Sequence, residues 1–225
     1  MKYWSQVRAI VRKDLQAEFR TKELLSSMLL FAFLAVVIMS FAFDPTREVV
    51  KQVFPGMIWV VFAFAGVLGL NRSFLTEKHN DCIAGLTLAA NDGSAILVGK
   101  VASNLIFMLV VELVSLPIFF VLFDFRSKGS LGLLLLVVLL GTVGFVAMGT
   151  FLAALAVHAK HSEVLLPIIL FPLLVPLLIA AVQATGAILA GQGFGEWSLW
   201  LKIIAGFDLM YLVVPTLLFE YLLEV

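Results

Sequence analysis

Apolar side chains fill six long runs, at 24–43, 53–70, 101–123, 131–157, 164–190 and 203–223. Each reaches or exceeds the roughly 17–25 residues a helix needs to cross a hydrocarbon core of about 30 Å. None alternates polar and apolar at period two, and all are far longer than the roughly 9–11 residues of a membrane β-strand. The pattern therefore predicts an all-α membrane protein with six transmembrane helices. Ahead of the first run, Trp4, Val7, Val11, Leu15 and Phe19 recur every three or four positions, on one face of a further helix. Arg8, Arg12, Lys13, Gln16 and Arg20 lie mostly elsewhere around it. A basic amphipathic helix with an aromatic at its edge suits the headgroup region of a bilayer, and the same face can equally pack on the protein's own helices. The expected organisation is an amphipathic helix over 1–23, then a transmembrane domain over 24–225 that includes one long connector, 71–100.

The runs are irregular in places. Pro167, Pro172 and Pro176 fall in the fifth, Pro117 in the third and Pro215 in the sixth. Each interior proline removes a backbone hydrogen bond and kinks its helix, so a straight fifth span is not expected. Gly141, Gly144 and Ala147 recur every three positions in the fourth run and allow a neighbouring helix to approach closely. Bundle packing accounts for both features, and a bent helix that moves during transport is the alternative.

Composition makes the bilayer obligatory rather than optional. Residues of the set AVILMFWYC are 62% of the 225, mean hydropathy is +1.11 and charged residues are 13%, too few polar side chains to cover a soluble surface. Net charge is zero, which gives no reason to expect nucleic acid. The lone cysteine, Cys82, cannot form an intrachain disulfide. The charged first 23 residues and the length of the first run argue for an uncleaved first span rather than a leader. An even number of spans puts both termini on one side. That side holds Lys2, Arg8, Arg12, Lys13, Arg20, Lys22, Arg72, Lys78, Lys100 and Lys160, against Arg47, Lys51, Arg126, Lys128 and Lys202 opposite. The excess predicts cytoplasmic termini and a cytoplasmic connector 71–100.

Candidate chemistry is sparse. Gly93, Gly99 and Lys100 are the nearest approach to a phosphate-binding loop. Five residues separate the glycines where that loop has four, and Val101 stands where a magnesium-binding Ser or Thr is needed. If ATP is used, another polypeptide hydrolyses it. His79, His158 and His161 all fall in connectors. His158 and His161 can share a helical face but lack a third ligand, so no metal site is expected. There is no C-x-x-C-H haem-attachment motif. Glu112 is the ionisable residue placed deepest, in the middle of the third run. A carboxyl there faces the bundle interior or a partner, for a functional role or for a structural hydrogen bond. Asp208 and Glu220 are expected near the ends of the last span, in reach of headgroups or water, and Trp197 and Trp200 as interfacial anchors. No nucleophile, base and orienting group stand together, so enzyme activity is not expected.

The connector 71–100 interleaves Leu75, Ile83, Leu86 and Leu88 with Arg72, Glu77, Lys78, His79, Asp81 and Asp92. That mixture predicts one or two short helices, broken at Gly85 and at the turn Asn91-Asp92-Gly93. A link between spans can be far shorter, so a docked partner is its natural use.

With the amphipathic N-terminus, six spans and a structured connector, the chain resembles the membrane subunits of ABC-2-type transporters. Three stretches carry a narrower likeness. They are Arg12-Lys13-Asp14-Leu15 with Glu18 and Arg20-Thr21-Lys22-Glu23; Leu70-Asn71-Arg72-Ser73-Phe74 with Glu77, leading through Gly85-Leu86 to Gly99-Lys100; and Leu166-Pro167 followed by Phe171-Pro172-Leu173-Leu174-Val175-Pro176. These are similar to the haem exporter protein B (CcmB) family, the permeases of cytochrome c maturation. The family often has a proline-containing turn near Ala89-Ala90-Asn91-Asp92, which Ala90 removes here.

The resemblance implies a permease present in two copies with two copies of a cytoplasmic ATP-binding subunit, beside a haem-handling membrane protein and a small single-span subunit. Together these serve haem delivery to a periplasmic chaperone during c-type cytochrome assembly. The ATP-driven step either moves haem or releases the loaded chaperone, and the lack of a clear haem site fits a mechanical role. Haem is thus cargo of the complex, ATP belongs to the partner, and no cofactor is expected on this chain. Carried over, Arg72, Phe74, Glu77, Gly85 and Leu86 mark the element that touches the ATPase, with Phe74 as apolar anchor and the charges setting register. Two alternatives remain: an ABC-2 permease for another substrate, such as a lipid-linked sugar or a drug, and a stand-alone channel or carrier.

Overall fold

A computed structural model describes residues 3–43, 48–79, 93–156 and 162–223. Its elements are α1 (Tyr3–Thr21), α2 (Glu23–Ala42), α3 (Glu48–His79), α4 (Gly93–Leu122), α5 (Leu131–Ala156), α6 (Ser162–Leu189) and α7 (Phe194–Leu223). Helices α2 to α7 are long and apolar enough to span a bilayer. The chain is a multi-pass membrane protein.

A single residue divides α1 from α2. Lys22 is left-handed, at φ 56° and ψ 14°, which stops α1 while its N–H still donates to the Glu18 carbonyl. The chain then restarts as α2, whose first turn needs acceptors for its free N–H groups. The Glu18 carboxylate supplies them, accepting from Leu25 N at 2.8 Å and Leu24 N at 3.4 Å. Glu18 thus caps the first span from the preceding helix.

At the opposite end, α4 and α6 both finish in Schellman motifs. Phe125 N donates to Phe120 O and Asp124 N to Val121 O, with Asp124 at φ 43°. Gln192 N donates to Ala187 O and Gly191 N to Ile188 O, with Gly191 at φ 73°. The two turns are stitched together by Lys128 N donating to Leu189 O at 3.1 Å. A Cβ on Gly129 would fall on the Ile188 carbonyl, so this close approach requires glycine.

Helix α3 lies inside the bundle: 72% of its most apolar window is buried, against 17% for α2. It packs on α2, α4, α5 and α6. Helix α5 packs on α3, α4, α6 and α7, and its small residues set those approaches. Gly141 receives the Trp59 indole and Gly149 receives Leu70, both from α3, while Gly144 receives Asp208 of α7 and Leu177 of α6. The three-residue spacing therefore admits several neighbours rather than one.

The elements depart from the sequence expectations in three ways. Helix α3 continues through Arg72 to His79, where the apolar run stops at 70. At 1.5 Å per residue its 32 residues span about 48 Å, well beyond a hydrocarbon core of about 30 Å. Helix α4 begins at Gly93, so Lys100 lies inside a helix and not in a loop. Helix α7 begins at Phe194, not 203, which brings Asp208 to mid-helix. As expected of a span that prolines bend but do not end, α6 is one helix containing Pro167, Pro172 and Pro176.

Candidate functional site

Two constellations carry polar side chains in an otherwise apolar molecule. The first gathers at the α1 end of the bundle. Helix α1 lies against α4, with Ile10 seated over Gly99 so closely that a Cβ there would meet Ile10 at 2.9 Å. One turn on, Asp14 Oδ2 stands 3.0 Å from Lys100 Nζ. The Lys100 side chain is 3% exposed and that of Asp14 11%, so the contact offsets charge in a place water reaches poorly, and Asp14 Oδ1 also lies 3.3 Å from Lys13 Nζ. Beyond it Glu18 caps α2, and next to the cap Arg72 of α3 donates to the Glu23 carbonyl at 3.0 Å and lies 3.7 Å from its carboxylate. Asp14, Glu18 and Glu23 therefore link α1, α2, α3 and α4 in one polar node.

The apolar face of α1 divides between the two expected uses, packing through Val7 and leaving its ends open. Gln6, Val7, Ile10 and Glu18 are its buried residues, whereas Trp4 and Phe19 are 72% and 73% exposed. Two acidic side chains with partners on other helices pull the contact one row round the helix, something apolar periodicity cannot register.

The second constellation lies within the spans. Glu112 is fully buried on α4, with Thr142 Oγ1 of α5 at 2.7 Å from Oε1. The same hydroxyl is 2.7 Å from the Val138 carbonyl. One hydroxyl proton serves one acceptor at a time. The pair can therefore hold an ionised Glu112 that accepts from Thr142. It can equally hold a neutral one that donates to Thr142 while Thr142 donates to Val138. Two turns away, Asn104 of α4 donates to Thr150 of α5 at 3.1 Å. Trp59 of α3 donates to Thr185 of α6 at 3.0 Å, and the Tyr211 hydroxyl of α7 donates to the Leu173 carbonyl between Pro172 and Pro176. Each of these bonds crosses between two helices.

Asp208 is a correction. It is 6% exposed and rests over Gly144, with no described residue donating a hydrogen bond to either oxygen. Sequence reasoning put it near a helix end, because the polar stretch Gly193-Phe194-Gly195-Glu196 does not look like membrane helix. Asn104 and Thr150 carry no sequence expectation, and Lys100, expected in the connector, is buried on α4. Their signal, polar residues at fixed helical spacing in otherwise apolar runs, was present but had no partners assigned.

Of the residues singled out for coupling, Arg72 is placed on α3 and bound to Glu23. Phe74 and Glu77 sit on the last turns of α3. Gly85, Leu86, Cys82, His158 and His161 lie outside the described residues. Trp197 and Trp200 fall in the first turns of α7, half-buried. Among the described residues, no three His, Cys, Asp or Glu side chains come together as a metal site.

Comparison with known proteins gives one consistent result. A family model described as CcmB protein matches residues 5–225. Heme exporter protein B of Pseudomonas aeruginosa is 24% identical over 200 residues, covering 89% of each chain. The heme exporter protein B of Rhodobacter capsulatus is 29% identical over 173 residues, 77% of this chain and 79% of that one. That of Escherichia coli K12 is 27% identical over 188 residues, 83% of each.

Proposed function

The chain belongs to the CcmB protein family, and from that premise we propose that it is the membrane permease subunit of an ATP-driven complex serving haem delivery in c-type cytochrome assembly. The observation that carries this reading is the match of residues 5–225 in one stretch, over all six spans. Relatives that bear the name heme exporter protein B, each covered over most of its length, support the cargo. The chain is a transport subunit without a catalytic centre of its own, and hydrolysis occurs in a separate ATP-binding subunit. It resides in the bacterial inner membrane with both termini cytoplasmic, as a homodimer beside a haem-handling membrane protein and a small single-span subunit.

The α1 end is then the cytoplasmic end, where the ATPase docks. Arg72, Phe74 and Glu77 on the α3 extension, with Gly85 and Leu86, form the docking element. Arg72 is held by Glu23, so a push on the end of α3 passes into α2. Through Glu18 and the Asp14–Lys100 pair it reaches α1 and α4. A polar node that joins four helices in this way suits mechanical release of a loaded chaperone.

The test is the double change Arg72→Ala, Glu77→Ala in a strain lacking the native gene. Holocytochrome c yield falls to a small fraction of wild type, while the protein inserts normally and the copurified ATPase still hydrolyses ATP. Normal yield would refute the coupling assignment. Unimpaired cytochrome assembly in the deletion strain itself would instead point to an ABC-2 permease with another substrate.

A further inference from the structure

Helix α1 divides into rows of residues four apart, each row about 100° round from the last. Gln6, Ile10, Asp14 and Glu18 form the row turned into the bundle. The next row is apolar, and it emerges from cover along its length: Val7 is buried, Val11 and Leu15 are half-buried and Phe19 is exposed. The third row is Trp4, Arg8, Arg12, Gln16 and Arg20, all exposed. The acidic residues of the helix are both turned inward, Asp14 to Lys100 and Glu18 to the start of α2. Every outward charge on α1 is therefore basic. The Glu18 cap also fixes the depth of α1, because it ties the helix to the residue pair, Leu24 and Leu25, where the first span begins.

We infer that the row Trp4–Arg8–Arg12 is a binding site for anionic glycerophospholipid. The phosphates of the adjoining leaflet pair with Arg8 and Arg12, and Trp4 and Phe19 enter the acyl boundary on either side. An apolar row between a protein-packed row and a basic row is the order a helix lying in the plane of a bilayer requires. No described residue pairs with Arg8 or Arg12. Each guanidinium attracts an anionic surface with about 1 kcal/mol, a preference of about fivefold per arginine. This site is independent of the cargo and of the coupling residues.

The test uses the full chain in nanodiscs of phosphatidylcholine carrying equal mole fractions of either brominated phosphatidylglycerol or brominated phosphatidylcholine. The Trp4 signal is taken as the difference between wild type and Trp4→Phe. Brominated phosphatidylglycerol is expected to quench that signal several-fold more effectively. Arg8→Gln with Arg12→Gln abolishes the preference, Arg8→Lys with Arg12→Lys retains it, and added salt weakens it. Equal quenching by the two lipids, no quenching by either, or a preference that survives the glutamine changes would overturn the site. Loss of the copurified ATPase from the glutamine variant, with the lipid preference intact, would assign the row to a protein partner instead.

Discussion

Lys100 and Asp14 are the residues on which isolated chemistry bears most. Each carries a charge that water reaches poorly, and their 3.0 Å separation is what makes burial tolerable. Asp14→Ala should remove about 3 kcal/mol of stability by taking from buried Lys100 the carboxylate that faces it, whereas Asp14→Leu with Lys100→Met should restore most of it. Titration of the purified protein from mild detergent into dodecyl sulfate, followed by circular dichroism, separates the two outcomes. Glu112 poses a similar question in the bilayer interior. Glutamine keeps an oxygen for Thr142 to bond, so Glu112→Gln should preserve both stability and cytochrome yield, while Glu112→Leu loses the bond to α5, worth about 1 kcal/mol in a membrane. A fall in cytochrome yield for the glutamine variant, at unchanged stability, would show that the titratable carboxyl itself takes part.

Among elements, the paired turns after α4 and α6 depend on backbone conformations that only certain residues adopt. Gly191 is left-handed, with Lys128 packed against it. Gly191→Ala should weaken the clasp by about 1 kcal/mol, while Gly129→Ala should do more harm, because the added methyl meets a carbonyl and not a movable side chain. Limited proteolysis of reconstituted protein should cut the segment between α4 and α5 faster in both variants, and fastest in Gly129→Ala. Helix α1 shows why such elements are only half legible. The acidic side chains that pin it to its neighbours are invisible as partners until α2 and α4 are in place, so apolar spacing shows the row beside this contact and not the contact itself.

For the whole molecule, the asymmetry of lysine and arginine and the position of the polar node make one end of the bundle chemically distinct. Both termini should lie on that end. A green fluorescent protein fused to the C-terminus should fluoresce, and an alkaline phosphatase fused there should be inactive, the reverse holding for fusions between α4 and α5. Helix α5 packs against four helices, and its glycines admit side chains from three of them. Gly141→Leu should displace Trp59, break its bond to Thr185 and loosen α3 from both α5 and α6. The expected readout is an earlier loss of near-ultraviolet tryptophan signal on dodecyl sulfate titration, with helix content unchanged.

Six apolar runs of spanning length are enough to dictate an all-helical membrane protein, because a backbone without water must bond to itself and lipid accepts nothing but apolar surface. The basic excess, the missing phosphate loop and the motif-bearing stretches are equally local, and all can be read without coordinates. Partnership is another matter. That Lys100 answers Asp14, that Arg72 holds Glu23, and that Asp208 rests on Gly144 are pairings between residues distant along the chain. A polar group in an apolar run has one fixed position but many partners within reach, and only the packing of helix on helix selects among them.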